Sequence, residues 1–423
     1  MDAESQPAPV RPLAAFAVPN YRRFVIGQAV SLVGSWTETV AQALLVLQLT
    51  HSGLWLGLAA AARYVPVLVL TPYAGLIVDR ADKRTMLLIT QAALAGLSLA
   101  LGALVLLGAI QLWMVFAIAI AFGVLTAFDN PARMAFIPEM VGAGLIRNAV
   151  TLNSTFVNVG RAVGPVVAAS LVAGVGIGWC FVANAVSFAG VLAALLTLDT
   201  SQLRAGDRVE HHAHQLRDGL AYARRMPEIL APLCMMALIG TFTYEFEVSL
   251  PLFARRPLAG GATTYSWLMG AFGLGAVVGG IYSTRHAQTG VPRMIRATVL
   301  YMLAMLATAY TGSVPAAVLL LLVVGFASIV FLTTGHSTIQ LAAAPTYRGR
   351  VTALWSTAFV GSTPIGATII GAIGAGSPRL GLAVGGAACG AAAITGIAIL
   401  APGPNPHPSG SPARPRMSAG CTS

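Results

Sequence analysis

The sequence predicts an all-α integral membrane protein with twelve transmembrane helices in two pseudo-symmetric halves of six. Of its 423 residues, 57% are hydrophobic and only 9% are charged, whereas a soluble domain carries about 25% charged residues. Apolar stretches of about 20 residues, the length that crosses a bilayer, recur from about residue 24 to residue 400. These stretches are too long and unbroken for the alternating strands, roughly ten residues each, of a membrane barrel.

Polar turns divide the apolar part of the chain into twelve stretches. Each has the length, about 17 residues or more, that a helix needs to cross the bilayer core. We place the spans near residues 24–49, 54–78, 85–107, 110–128, 148–173, 177–198, 229–254, 266–284, 296–312, 315–338, 350–373 and 380–401.

The longest interior polar stretch, 199–228, divides the spans six and six, and we expect it to be a cytoplasmic linker. It separates an N-terminal six-helix half, 20–198, from a C-terminal six-helix half, 229–401. Similar features recur at near-constant spacing in the two halves, which indicates a repeat about an axis along the membrane normal. The polar tails, 1–19 and 402–423, have no apolar period and are expected to be disordered.

Most of the 25 Lys and Arg residues fall in the tails, the linker and the turns of one side. Because basic residues are enriched in cytoplasmic loops, this bias places both termini in the cytoplasm. Four tryptophans fall at the predicted outer ends of spans, where an amphipathic ring prefers the headgroup level: Trp55, Trp113, Trp179 and Trp267. The first 19 residues lack the apolar core and cleavage site of a signal peptide, so none is expected.

Several classes of function are disfavoured by what the sequence lacks. The only lysine, Lys83, precedes Arg84, so the phosphate loop G-x-x-x-x-G-K-[ST] of an ATP-driven motor cannot occur. The net charge of +11 is explained by topology and does not indicate nucleic acid. We expect no cofactor and no metal. A metal site at His211, His212 and His214 is less favoured than a solvated linker, since no carboxylate pair or Cys completes the ligands.

Charges within the spans are costly and are therefore candidates for function. Glu38 and Arg63 lie at nearly equal distances from the turn near Ser52, about 18 Å deep at about 1.5 Å per residue. We expect them to form an ion pair. Protonation of Glu38 would break the pair and shift the two halves between conformations. The alternatives are a permanent structural pair, or an acid that faces a wet cavity.

Two further acids and an arginine lie in the spans. Glu245 and Glu247 are about 200° apart on an ideal helix, so both face one cavity only if the span is broken there. One of the two acids is expected near the outer interface. Glu245, as the positional counterpart of Glu38, is the better candidate to line a cavity. Arg161 lies in the fifth span. His336 is interpreted as a hydrogen-bonding group at a helix end.

The turn after the second span contains a glycine, an acid at a helix end and three basic residues: Gly75, Asp79, Arg80, Lys83 and Arg84. This stretch resembles the G-x-x-x-D-R-x-G-R-R signature of the major facilitator superfamily. The resemblance implies a conformational lock, in which Asp79 accepts hydrogen bonds from a helix that begins near Arg350 in the other half and holds the cytoplasmic side closed. The sequence departs from the signature at Asp82, where the family usually has Gly, and at Lys83 for Arg.

The fifth span contains Gly160, Gly164 and Pro165, followed by Ala168 and Ala169. It is similar to the G-x-x-x-G-P-x-x-G-G motif of the exporters of that superfamily, with alanines in place of the last two glycines. The resemblance implies export and antiport, while the alternative is ordinary packing of small residues. Further segments resemble the branch that contains the enterobactin exporter and macrolide efflux proteins, and the likeness covers roughly residues 20–400: 129–139, 147–154, 244–255 and 348–351.

This resemblance implies a secondary active exporter in the bacterial cytoplasmic membrane that acts as a monomer and exchanges protons for an amphiphilic drug, siderophore or other natural product. Some relatives confer multidrug resistance and others export siderophores. The fourth span lacks the Arg that often assists proton transfer in drug antiporters, which leaves Arg63 or Arg161 for that role. Cavity contacts are expected from four residues: Trp36, Phe242, Tyr244 and Glu245. An uncoupled facilitator or a lysophospholipid flippase is the alternative, and a membrane enzyme or signalling protein is less favoured.

Overall fold

A computed structural model describes residues 13–204, 215–286, 289–344 and 346–401. These ranges are helical and contain no strand. The α-helices, in chain order, are α1 Pro19–Thr50, α2 Gly53–Arg80, α3 Lys83–Leu106, α4 Leu112–Val141, α5 Ile146–Gly174, α6 Gly178–Leu196, α7 Gln215–Arg224, α8 Pro227–Phe242, α9 Phe246–Arg255, α10 Ala262–Arg285, α11 Val291–Tyr310, α12 Val314–Ala342, α13 Arg348–Val360, α14 Thr363–Gly376 and α15 Pro378–Leu400.

The prediction of twelve membrane-spanning helices is confirmed, because twelve helical segments are long and apolar enough to cross a bilayer. Two spans that the sequence predicts as continuous are broken. The seventh span consists of α8 and α9, and the eleventh consists of α13 and α14. The short helix α7 lies in the linker, which is therefore partly helical.

The N-terminal tail is ordered further toward the start of the chain than the sequence predicts. A short 3-10 helix spans Ala14–Ala17, and Ala15 is fully buried. The backbone N–H of Ala15 donates to Oδ1 of Asn148 at the start of α5, 2.9 Å away. The expectation of disorder is thus wrong for this part of the tail. Residues 1–12, the C-terminal tail from 402 and the cluster His211–His214 lie outside the described residues.

The fourth span also extends beyond its predicted end near residue 128, since α4 continues to Val141 through Pro131 and Pro138. Asp129, expected just beyond the span, is buried instead. Its Oδ1 accepts hydrogen bonds from Thr90 Oγ1 at 2.9 Å and Gln91 Nε2 at 2.7 Å, both on α3. The polar side chains after residue 128 are satisfied by neighbouring helices, so they do not end the helix.

The same helix pairings recur in the two halves. The first span packs against the fifth and sixth, and the third packs against the fourth and sixth. In the second half, the seventh span packs against the eleventh and twelfth, and the ninth packs against the tenth and twelfth. This recurrence supports the predicted repeat.

Both described ends of the bundle, Pro19 of α1 and Leu400 of α15, lie on the same side, which we call the terminal side. The turn between α1 and α2 lies on the other side, which we call the opposite side. The terms refer to the molecule alone and assign no membrane face.

The closest backbone contacts between the halves lie toward the opposite side and in the middle of the bundle. Gly57 of α2 is so close to Ala367 of α14 that a Cβ there would lie 2.2 Å from the Ala367 carbonyl oxygen. Gly273 of α10 is similarly close to α5, since a Cβ there would lie 2.5 Å from the Ala162 Cα. Toward the terminal side α2 is more open, and Tyr73 is 64% exposed. Close backbone contact therefore joins the halves near the opposite side and in the middle of the bundle.

Candidate functional site

The break in the seventh span positions its acids. Helix α8 ends at Phe242, and α9 begins at Phe246 with Glu245 as its N-cap residue. Thr243, within the break, donates from Oγ1 to the carbonyl oxygen of Gly385 on α15, 2.8 Å away. Because the helix is interrupted, Glu245 and Glu247 are not held at the relative angle of an ideal helix.

Glu247 lies at the interface between the halves. Tyr64 on α2 donates from its hydroxyl to Glu247 Oε1 across a long 3.4 Å contact. The positive charges of Arg63 and Arg161 attract the same carboxylate. We call these four residues, Arg63, Tyr64, Arg161 and Glu247, the central cluster. The break turns Glu247 toward the other half, so the acid at the interface is Glu247 and not Glu245, which the sequence favoured.

Arg161 of α5 is placed by aromatic rings from both halves. Its guanidinium lies 4.8 Å from the ring centre of Trp36 on α1 and 5.8 Å from that of Phe272 on α10. A cation over an aromatic face is attracted by the negative charge density of the ring. Its Nε is buried and has no hydrogen-bond partner. The charge of Arg161 is therefore held by rings, and part of its donor capacity is unused.

Arg63 has a neutral partner. Its Nη1 donates to Oε1 of Gln42 on α1 at 3.2 Å, and its guanidinium lies 5.1 Å from the ring centre of Phe122 on α4. Arg63 is ten residues into α2 by the sequence, which places it about 15 Å from the opposite side, near the middle of the bilayer. A cavity of about 30 Å³ adjoins Arg63 and Glu247 on that side.

The predicted ion pair between Glu38 and Arg63 is wrong. Glu38 is only 1% exposed and lies inside the first half. Its Oε2 accepts hydrogen bonds from Ser98 Oγ on α3 at 2.6 Å and from Asn184 Nδ2 on α6 at 2.5 Å. The side chains of Glu38 and Arg63 point to different partners, Glu38 to Ser98 and Asn184 and Arg63 to Gln42. Glu38 therefore joins three helices of its own half.

Glu245 is not the structural counterpart of Glu38. It is buried beside α14, where a Cβ on Gly366 would lie 3.0 Å from its Oε1. Thr243 is the residue that bonds the seventh span to the twelfth, as Glu38 bonds the first span to the sixth. Glu247, and not Glu245, is thus the acid beside the two arginines.

Of the aromatic candidates, Trp36 contacts the central cluster. Tyr244 is held within its own half by a 3.0 Å hydrogen bond from its hydroxyl to the carbonyl oxygen of Ser328 and by edge-to-face packing on Phe359. Phe242 packs against the core of the bundle. The sequence analysis missed Tyr64, Phe122 and Phe272. Only Tyr64 carried a signal, since it follows Arg63 in the chain.

Three residues of the predicted lock, Lys83, Arg84 and Arg350, contact groups of their own half or of the linker. Lys83 Nζ lies 3.0 Å from Glu139 Oε1 on α4. Arg84 Nε donates to the carbonyl oxygen of Leu195 on α6 at 2.8 Å. Arg350 Nη1 lies 3.7 Å from Asp218 Oδ2 on the linker helix α7. The lock formed by Asp79 across the halves stays a prediction, as do the roles of Gly75 and Arg80.

The fifth-span motif packs α5 tightly against α1. A Cβ on Gly164 would lie 2.5 Å from Trp36 Cβ, and one on Gly160 would lie 3.1 Å from Leu32 Cβ. Thr37 donates from Oγ1 to the carbonyl oxygen of Gly164 at 3.0 Å, and the helix continues through Pro165. The motif therefore places Trp36 next to Arg161.

A helical bundle of twelve spans, with a charged cluster drawn from both halves near mid-depth, defines a membrane transporter of the major facilitator type. The chain belongs to the transmembrane secretion effector family, whose profile matches residues 10–409. The family and the fold are those of transporters and not of enzymes.

Two curated relatives are matched over part of their length. The staphyloferrin A transporter of Staphylococcus aureus is 29% identical over 39% of this chain and 42% of that protein. Macrolide efflux protein A of Streptococcus pyogenes is 26% identical over 55% of this chain and 56% of that protein. The chain thus spans about half the length of these relatives or less.

Among solved structures, a bacterial homologue of the human lysosomal transporter Spinster, in an inward-facing and occupied conformation, has the same fold. The TM-score is 0.69 at 13% identity, and the match covers 92% of this chain and 97% of that one. Together these comparisons support a multi-pass membrane transporter with bacterial relatives.

Proposed function

We propose that the protein is a secondary active exporter of an amphiphilic small molecule across the bacterial cytoplasmic membrane. The observation that carries the proposal is the composition of the central cluster, whose two arginines and Tyr64 come from the first half and whose acid comes from the second. A movement of one half against the other must change this cluster. Such a site suits alternating access, in which two halves rock about a central cavity.

The terminal side is proposed to face the cytoplasm. The tails, the linker and the turns of that side carry most of the Lys and Arg residues, as expected for cytoplasmic segments. The close contacts between the halves near the opposite side then close the exit, and the site is reached from the cytoplasm. This state is the one in which an exporter collects its substrate.

Export is favoured over uptake by the fifth-span motif and by a relative named for macrolide efflux, while a second relative is named for transport of staphyloferrin A. These names refer to other proteins at low identity. For this chain, drug, siderophore or natural-product export is therefore part of the proposal. Small-molecule export also suits a site whose charged groups are flanked by Trp36 and Phe272.

Proton antiport is proposed to act through Glu38. A change in its protonation alters the hydrogen bonds that join α1 to Ser98 and Asn184. Two residues earlier, α1 carries Trp36, which packs on Arg161. A shift of α1 would therefore reach the central cluster. Arg63 is less suited to exchange protons with Glu38, because its hydrogen bond goes to Gln42.

The test is export from proteoliposomes under an imposed pH gradient, with a fluorescent hydrophobic cation and a catecholate siderophore as probes. We expect gradient-driven export of at least one of the two probes by the wild type and its loss in Glu38→Gln. Glu228→Gln, an exposed acid in the linker region, is the matched control and should behave as the wild type. Export that ignores both the gradient and Glu38→Gln would contradict antiport and leave an uncoupled facilitator or a lysophospholipid flippase.

A further inference from the structure

Both arginines of the central cluster have donor capacity left over. Arg63 donates to a neutral amide, and Arg161 has a buried Nε without a partner. In the part of the chain that the structure describes, each guanidinium contacts aromatic rings and neither makes a contact ion pair with a carboxylate. A guanidinium presents a fork of donors that fits a carboxylate in a bidentate manner. Neither fork is used in this way.

The acids near these arginines contact other groups. Glu247 attracts them at longer range, but its Oε1 is bound by Tyr64. Glu245 lies against α14, and Glu38 lies inside the first half. The remaining groups that face the arginines are uncharged, namely the amide of Gln42 and the phenols and rings of Tyr64, Tyr244, Tyr301, Trp36, Phe122 and Phe272. The fixed charges near the arginines are therefore Glu247, in partial contact, and Glu38, whose carboxylate is attracted to Arg63 at longer range while its hydrogen bonds go to Ser98 and Asn184.

We propose that Arg63 and Arg161 bind an anionic group, a carboxylate, of the exported molecule, and that Glu247 is the internal anion which this group displaces. The substrate class is then an amphiphilic organic acid whose apolar or aromatic body lies along Trp36 and Phe272. A hydrophobic cation would have to lie beside two guanidinium groups to reach Glu247. This inference rests on the proposed export function and names the substrate class for it.

Displacement of Glu247 would also couple binding to movement. Glu247 ties the second half to Tyr64 and attracts the two arginines of the first half, on the opposite-side face of the site. A bound carboxylate pairs with the two guanidinium groups, so Glu247 of the second half loses its attraction to them. The attraction that holds the halves together beside the small cavity is then weakened, which allows the opposite side to open.

The experiment is calorimetric binding to the purified full chain in detergent, with three probes that share one aromatic body: naphthaleneacetic acid, naphthaleneacetamide and naphthylethylamine. We expect the acid to bind at least tenfold more tightly than the amide or the amine. Arg63→Gln and Arg161→Gln should each weaken binding of the acid by tenfold or more, and Arg161→Lys should recover only part of it. Arg225→Gln, an exposed arginine in the linker region, is the matched control and should leave the affinity unchanged.

Glu247→Gln separates this inference from a loss of folding, because it should tighten binding of the acid severalfold by removing the competing anion. Absence of binding by the acid, or unaltered affinity in both arginine variants, would overturn the inference. Preferential binding of the amine that is lost in Glu247→Gln would also overturn it and indicate a cation site, while the exporter proposal would stand. The exporter proposal fails separately, if the proteoliposomes show no gradient-driven export.

Discussion

Tyr64 and Glu247 connect the two halves of the transporter, since the phenol on the second span donates to the carboxylate on the seventh across 3.4 Å. The break between Phe242 and Phe246 brings the acid to the interface. The pair lies beside Arg63. Its hydrogen bond and the charges of the central cluster therefore both hold the two halves together toward the opposite side.

Tyr64→Phe should favour opening of the opposite side. The substitution removes the hydroxyl donor and keeps the ring, and a net hydrogen bond is worth about 1 kcal/mol, or roughly fivefold in a conformational equilibrium. Spin labels on His51→Cys and Gly376→Cys, both exposed on that side, should report a larger population at long distance. Tyr310→Phe, an exposed tyrosine away from the interface, is the control. An unchanged distance distribution would argue against the bond as a closing contact.

Asn184→Ala should destabilise the first half. Its amide donates to Glu38 and to Ser98 in a buried site, and the loss of a buried hydrogen bond to an acid costs about 1 to 3 kcal/mol. Thermal unfolding in detergent, followed by tryptophan fluorescence, measures the effect. Asn158→Ala removes an amide that bonds only one turn back to Ser154 and should lower the midpoint less. Equal effects of the two substitutions would contradict the role given to the Glu38 network.

Gly164→Ala should destabilise the protein and weaken ligand binding together. A Cβ there would lie 2.5 Å from Trp36 Cβ and 2.9 Å from the Val33 carbonyl oxygen, so α1 must shift, at about 1 to 3 kcal/mol. Gly96→Ala on α3 is the matched control, because a Cβ there meets nothing within 4 Å. That control should be neutral or stabilising by up to about 1 kcal/mol, since Ala is the better helix former. Equal thermal midpoints would show that the α1–α5 contact tolerates a methyl group.

Asp82 should stabilise the protein in a pH-dependent manner. Its carboxylate caps α3 by accepting from the Thr85 N–H at 2.6 Å, and hydrogen bonds from Thr85, together with the charges of Arg84 and Lys83, hold the pKa of Asp82 below its usual value. The contribution is therefore fully present above the unfolded-state pKa of about 3.9 and is lost as the pH falls through the lower folded-state pKa.

The measurement is the thermal midpoint of wild type and Asp82→Ala as a function of pH. Loss of an Asp cap costs about 0.5 to 2 kcal/mol at neutral pH. The difference between the two proteins should shrink as the pH falls below about 4. A difference that is constant down to pH 3 or grows on acidification would refute the assignment.

Composition was sufficient to predict the spans, because apolar stretches of bilayer length have few other stable structures. The spacing of Glu38 and Arg63 from the turn near Ser52 indicates a similar depth for the two residues. It could not predict the direction of each side chain around its helix, since direction depends on packing partners such as Ser98, Asn184 and Gln42. The pattern was likewise silent on the break at Thr243, where neither Gly nor Pro interrupts the apolar run.

The most direct test of alternating access about the central cluster is sided labelling of one cysteine. Ala60→Cys lies in the small cavity just beyond Arg63 and Glu247. In right-side-out vesicles, a membrane-impermeant thiol reagent should label it slowly at rest and at least severalfold faster when an exported substrate and an inward proton gradient are supplied. The same rate with and without substrate and gradient would contradict the account.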